Sequence, residues 1–398
     1  MDQLNQEIQL LAREASTEAI ANRRHLHRHP ELSFQEKETA AFISGKLTSY
    51  GIAHQTQVAG HGVVALIEGL KPDEDCIALR ADTDALPIFE TNSHDYCSVN
   101  PGVMHACGHD AHTAILLAVA QLLHQLRHRF HGSVKLLFQP AEEKLPGGAL
   151  AMIEAGVLTN PKVKAIVGLH VFPTLEVGKV GFREGPYMAS ADEINIKVKG
   201  KGGHAAMPDQ INDTVVAAAQ TVVNLQQISS RNAPPLIPTV LSFGRFMAQG
   251  AYNIIPSEVL IQGTFRTFDE TWRERAHKLI ESIAQHTAAA AGCAAEVFIE
   301  KGYPVLINEA ATTQKAQDAA NGFLGSKNVV RLDQRMTAED FAWYSHQIPA
   351  CFFRLGTGNS TKGIDANLHT PTFDIDESSL EIGIGTMTAI ALQLLKKL

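Results

Sequence analysis

Between residues 105 and 112 the chain reads His105-Ala106-Cys107-Gly108-His109-Asp110-Ala111-His112. Three histidines, a thiol and a carboxylate in so short a run form a donor set that suits zinc-like or other first-row transition ions. Related groups recur later: Glu142-Glu143 and His170, each after an apolar run, and His369 in a late loop. Each is ordinary by itself. A free cysteine is usually a small buried hydrophobe, adjacent acids a solvated turn, and a lone histidine a structural group. Taken together they suggest metal ligands, with one carboxylate left over to activate water. The chemistry implied is metal-dependent hydrolysis.

Spacing limits how these groups can meet. Cys107 and His109, two apart, would diverge on a helix and can share a centre only from a loop, which Gly108 permits. Asp110 is expected to cap the helix that follows. Glu142 and Glu143 lie between Pro140 and Pro146-Gly147-Gly148, a loop in which neighbouring side chains can splay. One acid could then bind metal while the other holds the nucleophilic water. His25, His27 and His29 have no cysteine or carboxylate clustered with them and read as surface groups. His124 and His128 read as an exposed helical face. Paired glycines in Lys201-Gly202-Gly203-His204 place His204 at a loop tip.

The elements that must position these residues alternate. An amphipathic helix is expected over 2–28, with Leu4, Ile8, Leu11 and Ala15 at helical spacing, and a second helix after Ser33 as its cap. Apolar runs at 63–67, 77–81, 134–138 and 165–169 read as strands, separated by helices such as 111–126. This order predicts an α/β catalytic domain on a mixed, largely parallel sheet. Asp82 and Asp84, Glu142 and Glu143, and His170 follow successive strands. Ligands of open α/β sheets gather at the carboxyl ends of strands, so these groups are expected on one rim. From residue 188 the pattern becomes β-α-β-β-α-β, the ferredoxin-like order. It is expected as an inserted domain over 188–304, between catalytic segments 1–187 and 305–398.

Bulk properties narrow the class. A chain of 398 residues with 45% hydrophobic and 19% charged residues is an ordinary globular protein of two-domain size. Its net charge of −8 argues against a nucleic-acid surface. Five scattered cysteines suggest no disulfide framework and fit a reducing compartment. The acidic start is unlike a signal peptide, and no apolar run nears the roughly 18 residues that span a bilayer. A cytoplasmic, non-membrane protein is expected.

The ordered motifs then make the chain similar to the dinuclear-metal aminoacylase and carboxypeptidase superfamily. It resembles the amidohydrolase branch of hippurate hydrolases, N-acetyl-diaminopimelate deacetylases and auxin-conjugate hydrolases. The resemblance covers essentially the whole length. It rests on Arg23-Arg24-His25-Leu26-His27, Arg80-Ala81-Asp82-Thr83-Asp84, Met104 to Asp110, Gln139-Pro140-Ala141-Glu142-Glu143 and Gly168-Leu169-His170. Gly202-Gly203-His204-Ala205, Asn253-Ile254-Ile255-Pro256, Glu339-Asp340-Phe341 and Leu368-His369 complete it.

The resemblance implies two divalent transition-metal ions per subunit (zinc, manganese, cobalt or nickel) bridged by Cys107. His109, His170, Glu143 and His369 would complete their ligand shells. Glu142 would be the base that takes a proton from the attacking water and returns it to the leaving amine. Asp84 would fix the orientation and tautomer of a histidine ligand. By the same analogy the inserted domain serves as lid and homodimer contact, with His204 an oxyanion donor for the other subunit. Asn253, Arg266, Gly356 and Thr357 are assigned to the substrate carboxylate. The expected activity is cleavage of N-acyl amino acids to a carboxylic acid and a free amino acid. The alternatives are a metallo-carboxypeptidase or dipeptidase and, without catalysis, a metal-binding dimeric ligand sensor.

Overall fold

Strands Cys76–Asp82 and Ser133–Gln139 are buried at every position, the signature of parallel strands covered on both faces. They lie at the centre of an eight-stranded sheet in the computed structural model, which describes residues 3–395. Residue 2, where the first helix was expected to begin, lies outside the described residues. The strand order is His54–Val58, Gly62–Glu68, Ser133–Gln139, Cys76–Asp82, Val163–Glu176, Ala350–Gly358, Val180–Phe182 and Val329–Arg331. The central pairings are parallel and the two at the His54–Val58 edge antiparallel, so the sheet is mixed.

This sheet belongs to one of two compact units, formed by Met1–Gly185, Ile307–Asp333 and Asp340–Leu398. Its helix α1 (Gln3–Arg28) buries the stripe Ile8, Ala12, Ala15, Ala19, Leu26 against α3 (His109–Gln125). Helix α3 is buried on nearly all sides, as its apolar composition requires. Helix α2 (Lys37–Ser49) starts after Glu36, whose side chain makes no cap bond. Ser33 is therefore not its cap; the hydroxyl donates to Asp84 Oδ2 at 2.6 Å instead.

The other unit, Pro186–Leu306 with Gln334–Glu339, contains strand Asp192–Lys199, helix Thr214–Leu225, strands Thr239–Met247 and Glu258–Thr267, helix Glu270–Ala290 and strand Ala294–Lys301. This is the βαββαβ order, with all three strand pairings antiparallel. Asp213 and Asp269 cap the two helices by accepting from backbone N–H groups in their first turns. Residues Gln334–Glu339 join this unit because Arg335 and Thr337 bond to the backbone of Tyr187 and Ala189. Among the described residues, no helix is long and apolar enough to cross a membrane.

Candidate metal centre

The carboxyl ends of the central strands set the site. Parallel register aligns Arg80 with Gly168, and Arg354 with His170, so Asp82 and His170 reach one level. His170 lies inside strand Val163–Glu176 rather than after it, because that strand keeps pairing with Ala350–Gly358 beyond the rim. Cys107 and His109 flank Gly108, which takes φ 90° as the N-cap of α3. A Cβ at Gly108 would meet the Val171 side chain, so only glycine fits this turn. Asp110 is thus not the cap; it lies in the first turn, bonded to Arg23 Nε and His27 Nδ1 at 2.8 Å each.

Cys107 Sγ is 3.4 Å from His170 Nε2 and 3.3 Å from His369 Nε2. His369 Nε2 is 3.2 Å from Glu143 Oε1, which is 3.9 Å from His109 Nε2. Two donor triads, Cys107–His109–His170 and Cys107–Glu143–His369, therefore share the sulfur. Zinc bonds of about 2.0–2.3 Å give tetrahedral ligand–ligand edges of about 3.3–3.6 Å, close to the shorter separations here. His109 Nε2 and Glu143 Oε1 are buried without a hydrogen-bond partner, an arrangement that is costly unless a cation satisfies both. The residues fit a pair of first-row divalent ions.

The remaining ring atoms fix the tautomers. His170 Nδ1 donates to the Val171 carbonyl, leaving Nε2 to face the sulfur. His109 Nδ1 faces the Asp84 carbonyl at 2.9 Å and Oδ1 at 3.2 Å, which directs its free nitrogen into the cluster. His112, by contrast, pairs with Asp82 Oδ1 and accepts from Val171 N, so both of its nitrogens are engaged. Burial, then the charges of Glu143, Glu142 and Asp82, push the Cys107 thiol well above its usual range, so its thiolate form calls for nearby cations. Burial opposes a charge on His109, but Asp82, Asp84 and Glu143 raise its pKa to about 10. Burial, aided by the Arg354 charge, holds His170 neutral.

Glu142 stands beside this cluster, grouped with His109 and Glu143. Asp84 orients its loop by accepting from Glu142 N through Oδ1 (3.1 Å) and from Glu143 N through Oδ2 (3.0 Å). Asp340 N approaches Glu142 Oε1 at 3.4 Å. Asp340 is itself fixed by Arg80 and Gln139. Two residues next to the site have positive φ, Ala141 at 55° and His369 at 62°, a cost of order 1–3 kcal/mol each. Glu36 Oε1 holds the first by accepting from Ala141 N; a bond from His369 N to Ala106 O holds the second. No local pattern marks Glu36 for this role, because its partner lies 105 residues away.

Gly356 and Thr357 lie within strand Ala350–Gly358 and are buried. In the other unit His204 is exposed, paired through strand Gly203–His204 with Ile254–Ile255. Its Nδ1 accepts from Ala206 N, so the neutral ring presents Nε2–H as a donor. Asn253 is exposed, and its carbonyl accepts from Ala205 N. Arg266 is half-buried against Thr264 and the Met336 carbonyl.

Imidazole, thiol and carboxylate donors converging at the strand ends of a mixed sheet define an α/β scaffold with a candidate metal centre. A family model described as peptidase family M20/M25/M40 matches residues 78–393, and the chain belongs to that family. It is 47% identical over 303 residues to an N-acyl-L-amino acid amidohydrolase of Geobacillus stearothermophilus, covering 76% of this chain and 81% of that protein. It is 41% identical to an N-acetyl-L-cysteine deacetylase of Bacillus subtilis, covering 91% of this chain and 84% of that one. A solved structure of a Bacillus subtilis dinuclear metal binding peptidase from the M20 family superposes with a TM-score of 0.83 at 36% identity. That match covers 97% of this chain and 100% of the other.

Proposed function

We propose that the chain hydrolyses the amide bond of N-acyl amino acids, using two divalent transition ions held by Cys107, His109, Glu143, His170 and His369. The observation that carries this reading is a carboxylate, Glu142, placed beside a donor cluster that shares one sulfur. When bound, the cations supply Lewis acidity, polarising the scissile carbonyl and acidifying water. Glu142 takes the proton of the attacking water on a carboxylate oxygen and passes it to the departing amine nitrogen. Asp84 holds the Glu142 backbone and the His109 tautomer during that transfer. His204 is assigned as a donor to the oxyanion that develops in the site of the other subunit, a role that its exposed Nε2–H suits. Asn253, Arg266, Gly356 and Thr357 are assigned to the substrate carboxylate.

The protein is also proposed to be a cytoplasmic homodimer. Five free cysteines without a disulfide support the compartment. The dimer contact is assigned to the second unit, where Val216 and Val223 stand exposed seven apart on one helix and Thr239–Met247 is an edge strand. The test is a panel of N-acetyl and N-benzoyl amino acids, with matched dipeptides, assayed after chelation and reconstitution with one metal at a time. Turnover of the N-acyl substrates that vanishes on chelation supports the assignment; turnover of dipeptides alone overturns it. Glu142→Gln should lower kcat about 10²–10⁴-fold with metal content unchanged.

A further inference from the structure

A second donor cluster lies on the side of α3 facing α1. His27 Nε2 is 3.2 Å from Glu90 Oε1, and His94 Nε2 is 3.4 Å from the same oxygen. These separations match the edges of about 3.3 Å expected for a tetrahedral zinc-like ion with bonds near 2.0–2.1 Å. The three donor atoms all lie within 4.8 Å of one another. His94 Nε2 is buried and has no hydrogen-bond partner. Asp374 Oδ2, which accepts from the Tyr96 hydroxyl at 2.8 Å, stands 3.9 Å from it.

The surroundings also orient the donors. His27 Nδ1 pairs with Asp110 at 2.8 Å, the carboxylate–histidine arrangement that points the opposite nitrogen at a metal. His94 is stacked on Tyr96 with ring centroids 3.7 Å apart, and its Nδ1 lies 3.3 Å from Cys97 Sγ. Glu90 is fixed by Ser98 N on Oε2 and Asn92 Nδ2 on Oε1. Four carboxylates, Glu90, Asp110, Asp374 and Glu377, face two guanidiniums, Arg23 and Arg24, leaving two negative charges in excess while the imidazoles are neutral.

We propose that His27, Glu90 and His94 form a separate binding site for a zinc-like divalent cation, distinct from the Cys107 cluster. Its occupant ties α1 to the segment carrying Glu90 and His94. Through Asp110 it also steadies the first turn of α3, where His109 sits. The rival occupant is a proton. Against burial and the Arg23 charge, bonds to Asp110 and Glu90 raise the pKa of His27, and an imidazolium there would also bridge the two acids.

The test is a count of bound zinc in the chelator-stripped full-length protein after zinc is added alone at neutral pH and the excess is removed. His94→Gln and Glu90→Gln should each bind one ion fewer per chain than wild type, and zinc should raise their Tm less. The difference decides whatever the Cys107 cluster holds. Equal stoichiometry in wild type and His94→Gln overturns the proposal and leaves His27 with its proton. His94 is only partly buried, so His94→Gln decides alone should Glu90→Gln fail to fold.

Discussion

Three demands meet at the Asp84 carboxylate. It faces the Nδ1 of His109, accepts from the backbone of both Glu142 and Glu143, and receives the Ser33 hydroxyl. Asp84→Asn retains one acceptor oxygen and turns the other into a donor, so at least one of those N–H groups loses its partner. Metal affinity, measured by competition with a chelator, should fall about 10–100-fold, as it does when the groups that orient metal-bound histidines are removed. Unchanged affinity would mean that Asp84 serves the fold alone. The donor cluster that gathers Cys107 and His109 was legible because His105 to His112 concentrates rare donor types in one stretch. The roles of Asp110 and His27 were not. They depend on a contact 83 residues apart, which no local pattern encodes, and so His27 reads as a surface group in sequence while being fully buried in the fold.

Among the elements, the turn into α3 leaves no room for a side chain. Gly108→Ala forces a side chain into a left-handed backbone and against Val171, displacing Cys107 and His109 together. We expect a loss of about 1–3 kcal/mol, seen as a lower Tm, with reduced metal content. Retention of both would show that the turn tolerates a Cβ. In the second unit, Asp192 is the corresponding anchor, held by Arg273 Nε at 2.9 Å and His277 Nε2 at 2.7 Å. Burial works to raise its pKa, but those bonds and charges prevail and hold it below the usual value. Its stabilisation is therefore complete above the unfolded pKa of about 3.9 and is lost as pH falls through the folded value. Asp192→Asn should cost about 3–5 kcal/mol near neutrality and flatten the acid limb of the stability curve. An acid limb equal to wild type would contradict that assignment.

At the scale of the whole molecule, strand alternation and the switch to β-α-β-β-α-β order were readable because each element carries its own period. The assignment of Gln334–Glu339 to the second unit was not, since it depends on backbone bonds to Tyr187 and Ala189 rather than on side-chain pattern. Cation binding should couple to the stability of the whole chain. At a thousandfold excess over Kd, one ion adds about 4 kcal/mol, so chelation should lower Tm and a divalent transition ion should restore it. The most direct measurement is anomalous diffraction at the metal edge from crystals of zinc-reconstituted protein. The account predicts two peaks within about 2.3 Å of Cys107 Sγ, one beside His170 and one beside His369. A single peak, or two that leave the sulfur unbound, would contradict it.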